Sequence, residues 1–261
     1  MKTITLTLIF LLANLSYITG YQGESPMGKT WVVFVENTNY HYYVDLHETE
    51  RDINLMKNAL SDYKIDSIIH KRNLTKNKME EFFYTELKES VIDKRVNSLM
   101  VWYAGHGKHE DNTGYWMPVD VIVDDNSSFY NINYLREALS TYSEHLKHTL
   151  VVTDACEAGP TFYQAMRSIP QSRNCDEITV TKYSSSQTII SSGYEFLPEP
   201  SVFTRTFAAL LNHNINPCLP IENVVNQLII SAARNNKPLP RFGKITGMPD
   251  EGGTFFFIKK E

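Results

Sequence analysis

The chain has no dense run of lysine or arginine, and with a formal net charge of −5 it offers no basic face for nucleic acid. It has no tandem repeat and no low-complexity tract, and glycine and proline are at ordinary levels, so one folded unit accounts for its length. Cysteine is scarce. The three present, Cys156, Cys175 and Cys218, are an odd number, so at least one thiol lacks an intramolecular partner. No apolar run reaches the roughly 20 residues of a membrane helix; residues 4–18 come nearest and fall short.

Those residues do follow Lys2 and precede small residues, which is the pattern of a secretory signal peptide. The chain therefore divides into a signal peptide (1–20), a short leader (21–29) and one domain (30–261). The expected destination is secreted or periplasmic, with no stable membrane span after cleavage. The chain is 42% apolar, enough for one substantial core. Gly23-Glu24-Ser25-Pro26-Met27-Gly28-Lys29-Thr30 matches the phosphate-loop pattern letter for letter. That loop works only with a strand before it and a helix after it, and here a strand-like run, residues 31–35, follows. No nucleotide is expected.

Apolar runs at 31–36, 66–70, 98–103, 149–153 and 187–191 read as strands. Helical spacing appears over 48–63, from a Thr75 cap through Leu87, from Asn131 or Asn133 through Tyr142, and over 160–166, 202–211 and 221–233. Residues 115–119 read as a short extra strand, 254–258 as a closing edge strand, and 168–186 as a polar loop. Strands alternating with helices predict a mostly parallel sheet with helices on both faces. Cys175 and Cys218 fall at the same end of that sheet, and spacing alone leaves their pairing open.

Two strand runs end abruptly in a reactive side chain beside glycine. One is Ser98-Leu99-Met100-Val101-Trp102-Tyr103-Ala104-Gly105-His106-Gly107, the other Thr149-Leu150-Val151-Val152-Thr153-Asp154-Ala155-Cys156-Glu157-Ala158-Gly159. Such endings belong to the carboxyl edge of a parallel sheet, where open α/β folds bind ligands. A thiol and an imidazole brought together there form an activated nucleophile. Asp154 stands two residues before Cys156, on the same side of the strand by alternation.

These motifs resemble the caspase-like cysteine peptidases, most closely the metacaspase and bacterial caspase-like branch. Tyr103-Ala104-Gly105-His106-Gly107 is similar to the family's histidine motif. Asp154-Ala155-Cys156-Glu157-Ala158-Gly159 is similar to the metacaspase Asp-x-Cys-His-Ser-Gly, with Glu157 and Ala158 as departures. His106 precedes Cys156 by about 50 residues, the caspase spacing. Arg51-Asp52-Ile53-Asn54-Leu55-Met56, Tyr115-Trp116-Met117-Pro118-Val119-Asp120 and Ser201-Val202-Phe203-Thr204 resemble further family segments in the same order.

The resemblance implies an α/β, caspase-like three-layer sandwich around a mostly parallel six-stranded sheet. It implies a Cys-His dyad of Cys156 and His106, an oxyanion hole from the amides of Gly107 and Cys156, and an acidic pocket for substrate Arg or Lys from Asp52 and Asp154. Substrates would be proteins or peptides, and no cofactor or metal is required. Some metacaspases are activated by Ca²⁺, but Asp124 and Asp125 supply two carboxylates where Ca²⁺ takes six or more oxygens. Cleavage after Asp is disfavoured, because His47 occupies the position of a caspase arginine. Glu157 lends a legumain-like character that keeps cleavage after Asn as an alternative. A catalytically silent caspase-fold binding module is the alternative from another class.

Overall fold

Residues 32–35 are apolar without interruption and completely buried, as a parallel strand covered on both faces must be. In the computed structural model, which describes residues 25–111, 113–155, 169–192 and 200–261, they form the middle of β1 (Thr30–Glu36). Alternation divides the strand between two cores. Val33 and Val35 face one helical layer, and Val32 and Phe34 face the other.

The main sheet has six strands: β1, β2 (Ser67–Arg72), β3 (Ser98–Ala104), β7 (His148–Asp154), β8 (Ser185–Ile190) and β10 (Arg241–Lys244). Their spatial order is β10-β8-β7-β3-β1-β2, parallel except for β10 at one edge. One layer holds α2 (Lys76–Glu81), α3 (Leu87–Lys94) and α4 (Ile132–Ser140), which bury Met79, Leu87 and Leu139. The other holds α1 (Thr49–Leu60), α5 (Val202–His213) and α6 (Ile221–Arg234), which bury Met56, Phe207 and Val225. The expected caspase-like architecture is the one observed. No helix among the described residues is long and apolar enough to cross a membrane.

Two helix starts follow their side-chain caps. The Thr75 side chain accepts from the Lys78 amide at the start of α2, and Asn131 rather than Asn133 caps α4 by accepting from the Asn133 amide at 2.8 Å. A wide π turn, Phe82–Glu86, joins α2 to α3, and Phe82 and Phe83 are both buried there.

Four sequence expectations are corrected. The sixth strand is β10, not the closing run: β11 (Phe256–Ile258) pairs with β9 (Cys218–Pro220) in a separate ribbon. The single extra strand is a three-stranded unit of β4 (Gly107–Glu110), β5 (Thr113–Trp116) and β6 (Tyr130–Asn131). Within the expected polar loop, Cys175–Lys182 is 3₁₀ helix, closed by a capping box between Asn174 and Glu177. Helix α1 stops at Leu60 rather than continuing to Tyr63, whose hydroxyl instead donates to the Leu211 carbonyl at 2.7 Å. The signal peptide, 21–24 of the leader and the 160–166 helix lie outside the described residues. Strand β1 begins directly after Lys29, so the phosphate-loop letters lead into a strand.

Cys175 and Cys218 form a disulfide, with sulfurs 2.02 Å apart and Cα atoms 5.8 Å apart. The bridge closes a loop of 43 residues holding β8 and α5, so it restricts the unfolded chain. Replacing both cysteines with serine is expected to lower unfolding free energy by about 2–4 kcal/mol in urea titration. Thiol titration of denatured, unreduced protein should find Cys156 alone; three thiols would show that the bridge does not form.

Candidate active site

β3 and β7 are hydrogen-bonded neighbours, in register from Ser98↔His148 to Ala104↔Asp154. Both therefore end at the same edge. Past β3 the chain turns at Gly105, where a larger residue would have to push aside two tyrosines. A Cβ there would lie 2.6 Å from the Tyr103 hydroxyl and 2.9 Å from that of Tyr40. These two tyrosines then hold the next residue. The His106 amide donates to Tyr40 Oη at 2.8 Å, and its carbonyl accepts from Tyr103 Oη at 2.7 Å and from the Met117 amide at 3.0 Å. Burial pushes both phenols well above their ordinary pKa, so they remain protonated.

The imidazole of His106 packs between the rings of Tyr40 and Tyr43, each centroid 4.8 Å away. Its Nε2 is 2.9 Å from the Val44 carbonyl oxygen. A carbonyl only accepts, so Nε2 carries the proton and Nδ1 carries the lone pair of the neutral ring. An imidazole fixed in one tautomer is suited to moving a proton at Nδ1. Gly107 follows at once, opening β4 opposite Trp116. Cys156, the expected nucleophile, comes one residue after buried Ala155 at the end of β7 and lies outside the described residues.

The two expected pocket acids are brought together, Asp52 from α1 and Asp154 from the end of β7. Both are buried. Asp52 Oδ2 accepts from the Ser201 amide at 2.8 Å, and Asp154 Oδ2 accepts from the Thr204 hydroxyl. Asp52 Oδ1 has no hydrogen bond among the described residues; the Arg205 Nε stands 3.6 Å away. Burial pushes the Asp52 carboxyl up to about 6; the Ser201 amide opposes this, the nearby Asp154 charge adds to it, and Arg205 pulls the other way. Burial likewise raises Asp154, against the hydroxyls of Ser201, Thr204 and Ser191.

All three new partners, Ser201, Thr204 and Arg205, come from the start of α5, whose dipole favours negative charge there. Sequence periodicity marks this helix but not its role in the acid pair. A signal was available: a buried carboxylate needs a cationic or hydrogen-bonding partner. Asp125 spends its carboxylate on the Ser127 amide and hydroxyl, at 2.9 and 2.6 Å, and among the described residues no group of three His, Cys, Asp or Glu is placed to hold a metal.

A family model described as Caspase domain matches residues 29–239. The chain belongs to the caspase-domain family. A solved caspase-1 from Spodoptera frugiperda shares its fold, with a TM-score of 0.60 over 85% of this chain and 89% of that one, at 12% identity. No curated protein sequence matches. The caspase-type fold supports a cysteine-peptidase function acting on protein or peptide chains.

The clamp on His106 is testable by Tyr40→Phe. The change leaves a part-buried amide N–H without its acceptor, so stability should fall by about 1 kcal/mol. Urea unfolding of the two proteins checks this, and equal midpoints would show that the hydroxyl does not hold the turn.

Proposed function

We propose that this caspase-domain protein is a secreted cysteine endopeptidase of the metacaspase-like branch that cleaves after Arg or Lys. The observation that carries the reading is His106, held in one tautomer at the end of β3, beside the strand that Cys156 follows in sequence by two residues. His106 takes the Cys156 thiol proton at Nδ1, and the thiolate attacks the scissile carbonyl carbon. The amides of Gly107 and Cys156 donate to the oxyanion. As the C–N bond breaks, His106 gives its proton to the departing amine and leaves a thioester on Cys156. His106 then takes a proton from water, which hydrolyses the thioester and frees the thiol.

The buried acid pair Asp52 and Asp154 supports the basic specificity, since a carboxylate without a full set of partners favours a cation. The disulfide supports the secreted or periplasmic destination, because such bridges persist in oxidising compartments. A second specificity draws on the same acids: their partners on α5 also suit a purely structural role, which leaves cleavage after Asn, as in legumain, as the alternative.

Cys156→Ala and His106→Ala should each remain folded and lose several orders of magnitude in peptide turnover. Near-normal turnover by either folded variant would sink the dyad assignment, whereas wild type without any turnover would point to a silent binding module. A peptide-library digest with the mature protein, using Cys156→Ala as the blank, reads the specificity directly.

The raised Asp52 carboxyl adds a pH dependence. Below about 6 it is neutral and attracts a basic side chain weakly; above about 6 it is charged. The ratio of kcat/KM for an Arg-containing peptide to that for its Gln counterpart should therefore rise with pH through this range. Taking the ratio cancels the titration of the catalytic groups, which both peptides share. A flat ratio would remove Asp52 from the pocket.

A further inference from the structure

Arg205 has an unusual position for a cation in a protein that would bind cations. Its guanidinium is the cation at ion-pair distance from the acid pair among the described residues. The two ends of that contact differ sharply. The Arg205 side chain is 42% exposed, and that of Asp52 is 6% exposed. At 3.6 Å the contact is an ion pair outside hydrogen-bond range, and Asp52 Oδ1 remains without a hydrogen bond among the described residues. The other carboxylate contacts are closer and come from short groups at the capped start of α5, the Ser201 amide and the Thr204 hydroxyl. Arg205 alone reaches the pair on a long, rotatable and half-exposed stem.

We infer that Arg205 is a resident counter-ion of the acid pair, standing where a substrate's guanidinium or ammonium would stand and displaced when that group enters. The inference rests on the Arg/Lys reading of the site. A buried carboxylate left without any cation is costly, so an empty pocket requires a stand-in. A loosely held stand-in meets that need without closing the pocket. It also sets a threshold: an incoming side chain must bind Asp52 better than Arg205 does. A basic residue can replace the lost ion pair, and a neutral residue cannot, so displacement sharpens the choice between them.

The test compares wild type with Arg205→Gln and Arg205→Lys on matched peptides bearing Arg, Lys or Gln before the scissile bond. In parallel, the Cys156→Ala protein, with and without Arg205→Gln, is titrated calorimetrically with benzamidine as a small cationic probe. Removing the competing ion pair should tighten benzamidine binding and lower KM for the Arg peptide by about three- to fivefold, the scale of a partly exposed ion pair. Arg205→Lys, with a single-point charge in place of the planar fork, should fall between. Thermal melts establish that the variants are folded, and the Lys variant carries the test if Gln at this position unfolds the protein. Wild type that ignores Arg and Lys peptides would overturn the specificity reading together with this inference. Wild type that prefers them, with unchanged or weaker benzamidine binding in a folded Arg205 variant, would overturn this inference alone.

Discussion

The pairing of β3 with β7 is the constraint from which the site follows. Both strands are buried on both faces, so a slip of one residue would exchange the side chains facing the two helical layers. Trp102 belongs to the layer of α5, where it meets Phe207 at 5.2 Å; Tyr103 belongs to the other, stacked on Trp116 at 4.4 Å. These aromatic contacts pin the register, and the register places Ala104 opposite Asp154. Because the strands are parallel, their reactive ends emerge at one edge. The residues that end β3 and β7, Ala104 and Asp154, become neighbours without any direct sequence proximity.

The strand ends were legible because a buried parallel strand is a continuous apolar run, and both runs stop at residues that have no place in a core. Other elements gave no such signal. β10 is four residues with a central glycine and two cations, Arg241-Phe242-Gly243-Lys244, and it is a strand only because β8 offers it an edge. The run at 254–258 is recognisable as extended, but periodicity identifies a strand and not its partner; β9, three residues ending in proline, carries too little pattern to suggest the ribbon. β4 contains Lys108, His109 and Glu110, all partly exposed, and no alternation distinguishes it from a loop. Arg205 sits on a helix face whose pattern absorbs it as an ordinary surface residue. Its relation to Asp52 spans 153 positions in sequence, a distance no local pattern records.

The carboxyl edge also carries an electrostatic burden that the protein divides among neighbours. On the α1 and α5 face, register aligns Arg72, Glu36, Ala104 and Asp154 in one row. Glu36 is fully buried and is met by His70 at 2.7 Å and Arg72 at 3.3 Å. Ala104 separates it from Asp154 by two strand spacings, about 10 Å. Asp154 has hydroxyl partners rather than a cation, and Asp52 is added from α1. Charge is thus compensated on the Glu36 side and left partly uncompensated on the Asp154 side. The two acids whose charge burial disfavours therefore stand together at the end of β7 rather than spread along the edge.

Position and orientation of His106 are controlled separately. Its backbone is gripped by the buried hydroxyls of Tyr40 and Tyr103, which belong to the core and cannot easily shift. Its ring is oriented by the Val44 carbonyl, on a loop where Tyr42 and Val44 are largely exposed. Exposure alone would make this a poor anchor. The loop is nevertheless closed on itself by the Leu46 amide donating to the Thr38 carbonyl at 2.9 Å and the Tyr40 amide donating to Asp45 at 2.7 Å. It is fastened to the segment after β5 by the His41 amide donating to the Val119 carbonyl at 2.8 Å. Exposed side chains at the tip are therefore compatible with a fixed backbone beneath them. The carbonyl that sets the imidazole tautomer belongs to that backbone, so the ring can be preorganised while the surface around it stays open to a peptide.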